Sequence, residues 1–151
     1  MLTTLSIDTL SHIVNEEIVV RAPIETTFES LIIQIGRANE TPDGKPFPMV
    51  IETWPGGRWY RDLGGDNGHH WGHVQAIKRP TLLEIYGPMF MSHPVTSNMQ
   101  YRLSEVAEGT KIVFRHSIFG PFPDEVREQI GAGWRAWLTR IQRAAERADQ
   151  P

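Results

Sequence analysis

The period of the apolar positions changes several times along the chain, and each change marks an element. Ile13, Val14, Ile18, Val19 and Val20 are β-branched and crowd the stretch up to Arg21, which predicts a strand that Ala22-Pro23 ends. Ile24, Phe28, Leu31, Ile32 and Ile35 then recur at helical spacing, with Pro23 suited to a first turn, Glu25 at the positive end and Gly36 as the stop. The segment Arg37 to Pro48 is rich in turn formers (Asn39, Pro42, Asp43, Gly44, Pro46) and reads as an irregular loop or broken short helix, a candidate lid.

Six strand-like runs follow: Met49 to Trp54, Arg58 to Leu63, His70 to Ile77, Leu82 to Gly87, Asn98 to Val106 and Lys111 to Phe119. They are separated by Pro55-Gly56-Gly57, a glycine-rich hairpin turn from Gly64 to Gly68, Arg79-Pro80, a long Pro88 to Ser97 stretch, and Ala107 to Thr110. Past Gly120-Pro121, the acids Asp124 and Glu125 open a helix of about 25 residues, whose stripe is Val126, Ile130, Trp134, Trp137, Leu138, Ile141 and Ala145.

Strand, helix, antiparallel strands and a long terminal helix predict an α+β fold. A curved antiparallel sheet must bury its apolar face, and the amphipathic C-terminal helix is the element able to cover it. Residues 1–12 read as a tail or an added edge strand, and 13–149 as a single domain.

Because side chains alternate along a strand, the charged positions identify the wet face. They turn Met49, Ile51 and Thr53 inward, then Trp59, Arg61 and Leu63, then His70, Gly72, Val74 and Ala76. Leu83 and Ile85, then Met99, Tyr101 and Leu103, then Ile112, Phe114, His116 and Ile118 complete the inner face. That lining is apolar except for Arg61, His70, Tyr101 and His116, the composition of a small-molecule site. The plainer alternative gives Tyr101 and His116 backbone partners in an ordinary core and Arg61 a carboxylate at the sheet rim. Trp59 and Trp134 offer faces for stacking a flat ligand, with core filling as the alternative. Trp54 and Trp71 fall on the outer face, where they mark either a homodimer contact or a surface aromatic ladder.

Composition narrows the chemistry. The chain has 151 residues and no cysteine, which excludes disulfides, thiolate metal sites and cysteine nucleophiles. Fifteen basic against 18 acidic residues give a net charge of −3, the wrong sign for an electrostatic nucleic-acid binder. No uninterrupted apolar run exceeds three residues, so neither a membrane-spanning helix nor a signal sequence is expected, and the protein reads as cytosolic. His69, His70 and His73 suggest a metal, but on a regular strand His69 and His73 stand roughly 13 Å apart and His70 points away, so no metal is expected. No phosphate loop or nucleophile elbow is present, and no cofactor is expected.

The element order resembles the START-like helix-grip superfamily, also called SRPBCC. The likeness is carried by Glu17-Ile-Val-Val-Arg-Ala-Pro-Ile-Glu-Thr-Thr-Phe28 at the front and Gly133-Trp134-Arg-Ala-Trp137-Leu138-Thr-Arg-Ile141 at the back. Pro55-Gly56-Gly57-Arg58-Trp59 and the strand exit Gly72 to Pro80 are most similar to the Hsp90-ATPase-activator-like subgroup, and the likeness spans Val14 to Glu146. It implies a cavity between sheet and C-terminal helix that holds an apolar or aromatic small molecule, with Trp59, Arg61, His70, Tyr101, Phe114, His116 and Trp134 as candidate contacts. Two other functions are compatible with it. One is a cyclase- or hydrolase-like enzyme with His70 or His116 as base and Tyr101 or Arg61 polarising a carbonyl. The other is a chaperone-interacting protein, although the stretch from Asp124 to Asp149, with five arginines against five acids, offers no basic patch.

Overall fold

The computed structural model describes residues 6–151. Its elements are α1 (Ile7–Leu10), β1 (Ser11–Val20), α2 (Ile24–Ile35), β2 (Val50–Ile51), β3 (Arg58–Gly64), β4 (Asn67–Lys78), β5 (Leu82–Tyr86), β6 (Thr96–Val106), β7 (Gly109–Phe119) and α3 (Asp124–Ala148). The strands form one antiparallel seven-stranded sheet in the order β1-β7-β6-β5-β4-β3-β2. The sheet curves around α3, which lies against its concave face beside α2, as the α+β reading expects.

Of the stretch expected as a tail or added edge strand, residues 1–5 lie outside the described residues. Ser6 caps the single turn of α1 in a capping box with Thr9, and β1 begins immediately at Ser11. Arg127 ties this entry to α3 by donating to the carbonyls of Ser11 and Thr9, each at 2.9 Å, while lying over the Phe122 ring.

The central strands keep strict alternation. Met99, Tyr101 and Leu103 of β6 pair with His116, Phe114 and Ile112 of β7, and all six are buried. Against this floor α3 lays Ile130, Trp134, Trp137, Leu138, Ile141 and Ala145, all buried, with Val126 partly so. Acids in its first turn and Arg147 in its last complement the helix dipole.

The β3–β4 hairpin departs from the alternating register. Its turn is formed as expected, with Gly65 and Asp66 both at positive φ (60° and 62°), the backbone that a two-residue hairpin of the primed type requires. Trp59 pairs with Gly72 but Tyr60 pairs with His70, so Trp71 is an extra residue in a β-bulge. The bulge reverses the expected facing: Trp71 is buried at 5% exposure, whereas His70, expected inside, is exposed. Leu63, also expected inside, is 64% exposed: Asp62 pairs with Gly68 and Gly64 with Asn67, so Leu63 is left without a partner at a second register shift. The loss of Trp71 from the outer face removes the paired-tryptophan homodimer contact; Trp54 alone stays outside, 56% exposed.

The first expected run after the loop, Met49 to Trp54, contributes only the two-residue β2. Beyond it the chain turns back through Gly57, where a Cβ would collide with the Glu52 carbonyl. Glu52 closes the turn, accepting from the Arg58 backbone N–H and side-chain Nε, each at 2.8 Å. These bonds to Arg58 hold the Glu52 carboxyl down at about 2.

Candidate functional site

The inner face holds a continuous aromatic cluster. Trp59 meets Trp71 edge-on at 5.1 Å between ring centroids, Trp71 stacks parallel to Trp137 at 6.2 Å, and Trp137 meets Trp134 edge-on at 4.8 Å. Phe114 continues the chain to Trp134 at 5.1 Å and to Tyr101 at 5.0 Å. Offset and edge-on arrangements of this kind are those that ring quadrupoles favour.

Beside this cluster is a cavity of about 360 Å³. Trp71, Trp134, Trp137, Phe47 and Phe90 form its aromatic walls, with Val126 and Ile130 adding aliphatic surface and Glu40, Thr41 and Gln129 the polar edges. Each element contributes through its local geometry. The bulge swings Trp71 inward, the helical period places Ile130, Gly133, Trp134 and Trp137 on one face of α3, and the loop after α2 brings Glu40, Thr41 and Phe47 across the opening. Gly133 lines the cavity too, and a Cβ there would meet nothing within 4 Å, so the missing side chain leaves volume that the cavity occupies.

The loop from Arg37 to Pro48 is irregular but internally bonded. An isolated bridge joins Glu40 and Pro46, Thr41 N–H donates to the Lys45 carbonyl at 2.9 Å, and Phe47 N–H to the Asn39 carbonyl at 2.8 Å. Arg140 of α3 anchors it, with Nη1 donating to the Glu40 carbonyl at 2.8 Å and Nη2 to Asn39 Oδ1 at 3.1 Å.

The seven residues singled out from the sequence do not converge. Trp134 lines the cavity. Trp59, Tyr101, Phe114 and His116 are fully buried behind it as the floor of the core; Trp59 Nε1 donates to the Ile35 carbonyl at 2.9 Å and so ties the sheet to α2. Arg61 lies over the Phe47 ring at 4.2 Å and donates to the Pro48 carbonyl at 2.7 Å, so its partner is a carbonyl where a carboxylate was the expected alternative. His70 stands on the outer face 3.3 Å from His73, ring nitrogen to ring nitrogen, with its pKa lowered by partial burial and by the neighbouring His73, Arg58 and His69. The expectation that His70 and His73 point to opposite faces fails because of the bulge between them. Among the described residues no three His, Asp or Glu side chains are grouped to hold a metal.

His116 is the most perturbed imidazole. Its Nδ1 accepts from Trp134 Nε1 at 3.0 Å, which puts the proton on Nε2, and that N–H has no partner. Burial pushes its pKa down to about 3, with the charge of His12 acting in the same direction. The Tyr101 hydroxyl is likewise buried without a partner, and burial pushes its pKa up. A histidine that stays neutral to such acidity is a poor proton acceptor, so in this position it supplies an N–H donor.

The cavity walls missed from sequence are Trp71, Trp137, Phe47 and Phe90. Trp137 was legible as part of the α3 stripe. For Trp71 the available signal is Gly72: a glycine inside a strand marks a bulge or a close backbone approach, and a Cβ there would collide with the Tyr86 carbonyl. Phe47 and Phe90 come from loops that carry no period.

Residues 44–146 match the family model described as Activator of Hsp90 ATPase homolog 1-like protein. The chain belongs to that family. The match begins within the loop and runs through the last turns of α3, so it contains both the bulged hairpin and the helix that wall the cavity. Solved structures show the same fold at low identity. Protein CV1439 from Chromobacterium violaceum superposes with a TM-score of 0.71 at 13% identity, covering 89% of this chain and 97% of that one. Protein MLL2253 from Mesorhizobium loti gives 0.66 at 17% identity, covering 92% and 100%. The di-domain ARO/CYC StfQ from the steffimycin biosynthetic pathway gives 0.69 at 11% identity, covering 94% of this chain and 53% of its own. No curated protein matches the chain. A shared fold does not fix chemistry, which resides in the site.

Proposed function

We propose that this protein binds an apolar or aromatic small molecule in the cavity between the sheet, α3 and the Glu40–Phe47 loop. The observation that carries the reading is the cavity itself: about 360 Å³, walled by three tryptophans and two phenylalanines, within the size range of small-molecule sites. Flat aromatic walls favour a flat or hydrocarbon body, and a pocket already formed lowers the ordering cost of binding. Phe90, 40% exposed, stands where the cavity meets solvent.

The enzyme reading has less support, because neither Arg61 nor His70 lines the cavity and the neutral His116 is a weak base. Family membership is the observation that favours a chaperone partner as the second reading.

Native mass spectrometry of gently purified protein, followed by thermal-shift measurements against a library of apolar metabolites, tests the proposal. A co-purifying compound, or one that raises the melting temperature by binding the folded state, is the expected result. A clean apo mass with no shift across the library would refute it and turn attention to protein partners.

A further inference from the structure

Resting on that binding reading, we propose that the ligand carries a carboxylate, and that Arg140 and Asn39, which stand directly behind the Glu40, Thr41 and Trp137 wall of the cavity, bind it. Arg140 is a half-buried cation whose hydrogen bonds all go to neutral oxygens: the carbonyl of Glu40, more distantly that of Thr41 at 3.5 Å, and Asn39 Oδ1. Among the described residues no carboxylate lies within 4 Å of it; the Glu40 charge acts on it from farther away. Its Nε–H is buried and has no acceptor.

Asn39, 2% exposed, is in the same condition. Arg140 can only donate, so the oxygen of the Asn39 amide must face it, and this leaves Nδ2 as a buried donor with no partner. The Tyr101 hydroxyl, fully buried and also unpartnered, is near enough to Arg140 for each to act on the other's ionisation. One positive charge without a counter-ion and several hydrogens without acceptors therefore lie together.

Buried donors left unsatisfied have lost their hydration without compensation, which marks such a group as awaiting a partner. A single planar anion answers both deficits, and a carboxylate presents two oxygens to a guanidinium edge. The position suits a cavity ligand. Glu40, Thr41 and Trp137 line the cavity, and Arg140 bonds to the backbone of the first two and lies over the ring of the third, 5.5 Å from its centroid. The apolar body rests on the tryptophans while the carboxylate passes this wall and accepts from Arg140 Nε and Asn39 Nδ2, the two donors that lack partners.

The test is isothermal titration at neutral pH with 2-naphthoic acid and its methyl ester. In the wild-type protein the acid binds at least about tenfold more tightly than the ester, the scale of a charge-assisted pair. Arg140→Gln removes that preference, so that acid and ester bind with equal affinity. Asn39→Asp provides the missing carboxylate from the chain itself and also removes the preference, while raising the melting temperature. Equal affinities of acid and ester in the wild type, or a preference that survives either substitution, overturn the carboxylate assignment and leave the cavity reading standing. Binding of neither compound, where thermal shift finds a library compound without a carboxylate that does bind, overturns the carboxylate assignment alone; where no library compound binds either, both readings fall. The wild-type comparison decides even if Arg140→Gln fails to fold.

Discussion

Trp134 and His116 join the C-terminal helix to the sheet through one buried hydrogen bond, indole Nε1 to imidazole Nδ1 at 3.0 Å, with the rings edge-on and 5.2 Å apart. The same indole presents a face to the cavity, so the pair connects the ligand wall to the β7 core.

The burial of His116 in this pair makes stability depend on pH. His116 titrates near 6.5 when unfolded and near 3 when folded, so the unfolded chain takes up the extra proton between those values. Its contribution is complete above pH 6.5 and is lost as the pH falls toward 3. Urea unfolding at pH 5 is expected to show about 2 kcal/mol less stability from this group than at pH 7.5. His116→Gln, whose Oε1 can accept from Trp134, is expected to flatten that share of the profile. An unchanged profile in the variant would show that His116 does not titrate this way.

Trp134→Phe keeps most of the apolar contact and removes the donor. His116 Nδ1 then joins Nε2 without a partner, and the expected loss is about 1–3 kcal/mol in urea unfolding. A loss no larger than that of a surface substitution would mean that water replaces the indole.

Gly133 separates cavity volume from helix stability. Gly133→Ala is expected to raise stability by about 0.5–1 kcal/mol, because glycine inside a helix is costly and the new methyl meets nothing within 4 Å. Gly133→Leu is expected to fold, since its side chain projects into the cavity, and to abolish binding of any compound found by thermal shift. Undiminished binding in the leucine variant would place the ligand elsewhere.

Gly72→Ala tests the bulge. Its Cβ would collide with the Tyr86 carbonyl and lie 3.1 Å from Ile85 Cγ2, so β4 and β5 must separate. The expected cost is about 1–3 kcal/mol, the range for overpacking a core, together with a change in tryptophan fluorescence as Trp71 shifts. Trp54→Phe, on the outer face, is the control that leaves both stability and ligand response unchanged.

Much of the architecture follows from local chemistry. Pro23 and Gly36 bound α2, Asp124 and Glu125 open α3, and the alternation from Leu82 to Phe119 places every inward residue of β5, β6 and β7 correctly, because period and capping are properties of neighbouring residues. His116 and Tyr101 were identified as buried polar groups on the same ground.

The sequence by itself therefore determined the element order, the fold class and the inner face of the central strands. Tertiary structure alone decided which residues wall the cavity. A bulge is settled by what the extra residue can pack against, and Trp71 turns inward toward Trp59 and Trp137, its neighbours across the folded interior. Arg140 and Asn39 likewise meet only when α3 docks against the loop after α2, 101 residues apart in the chain. Period reports on a residue's own strand or helix, whereas a site assembled across elements depends on packing that no local pattern encodes.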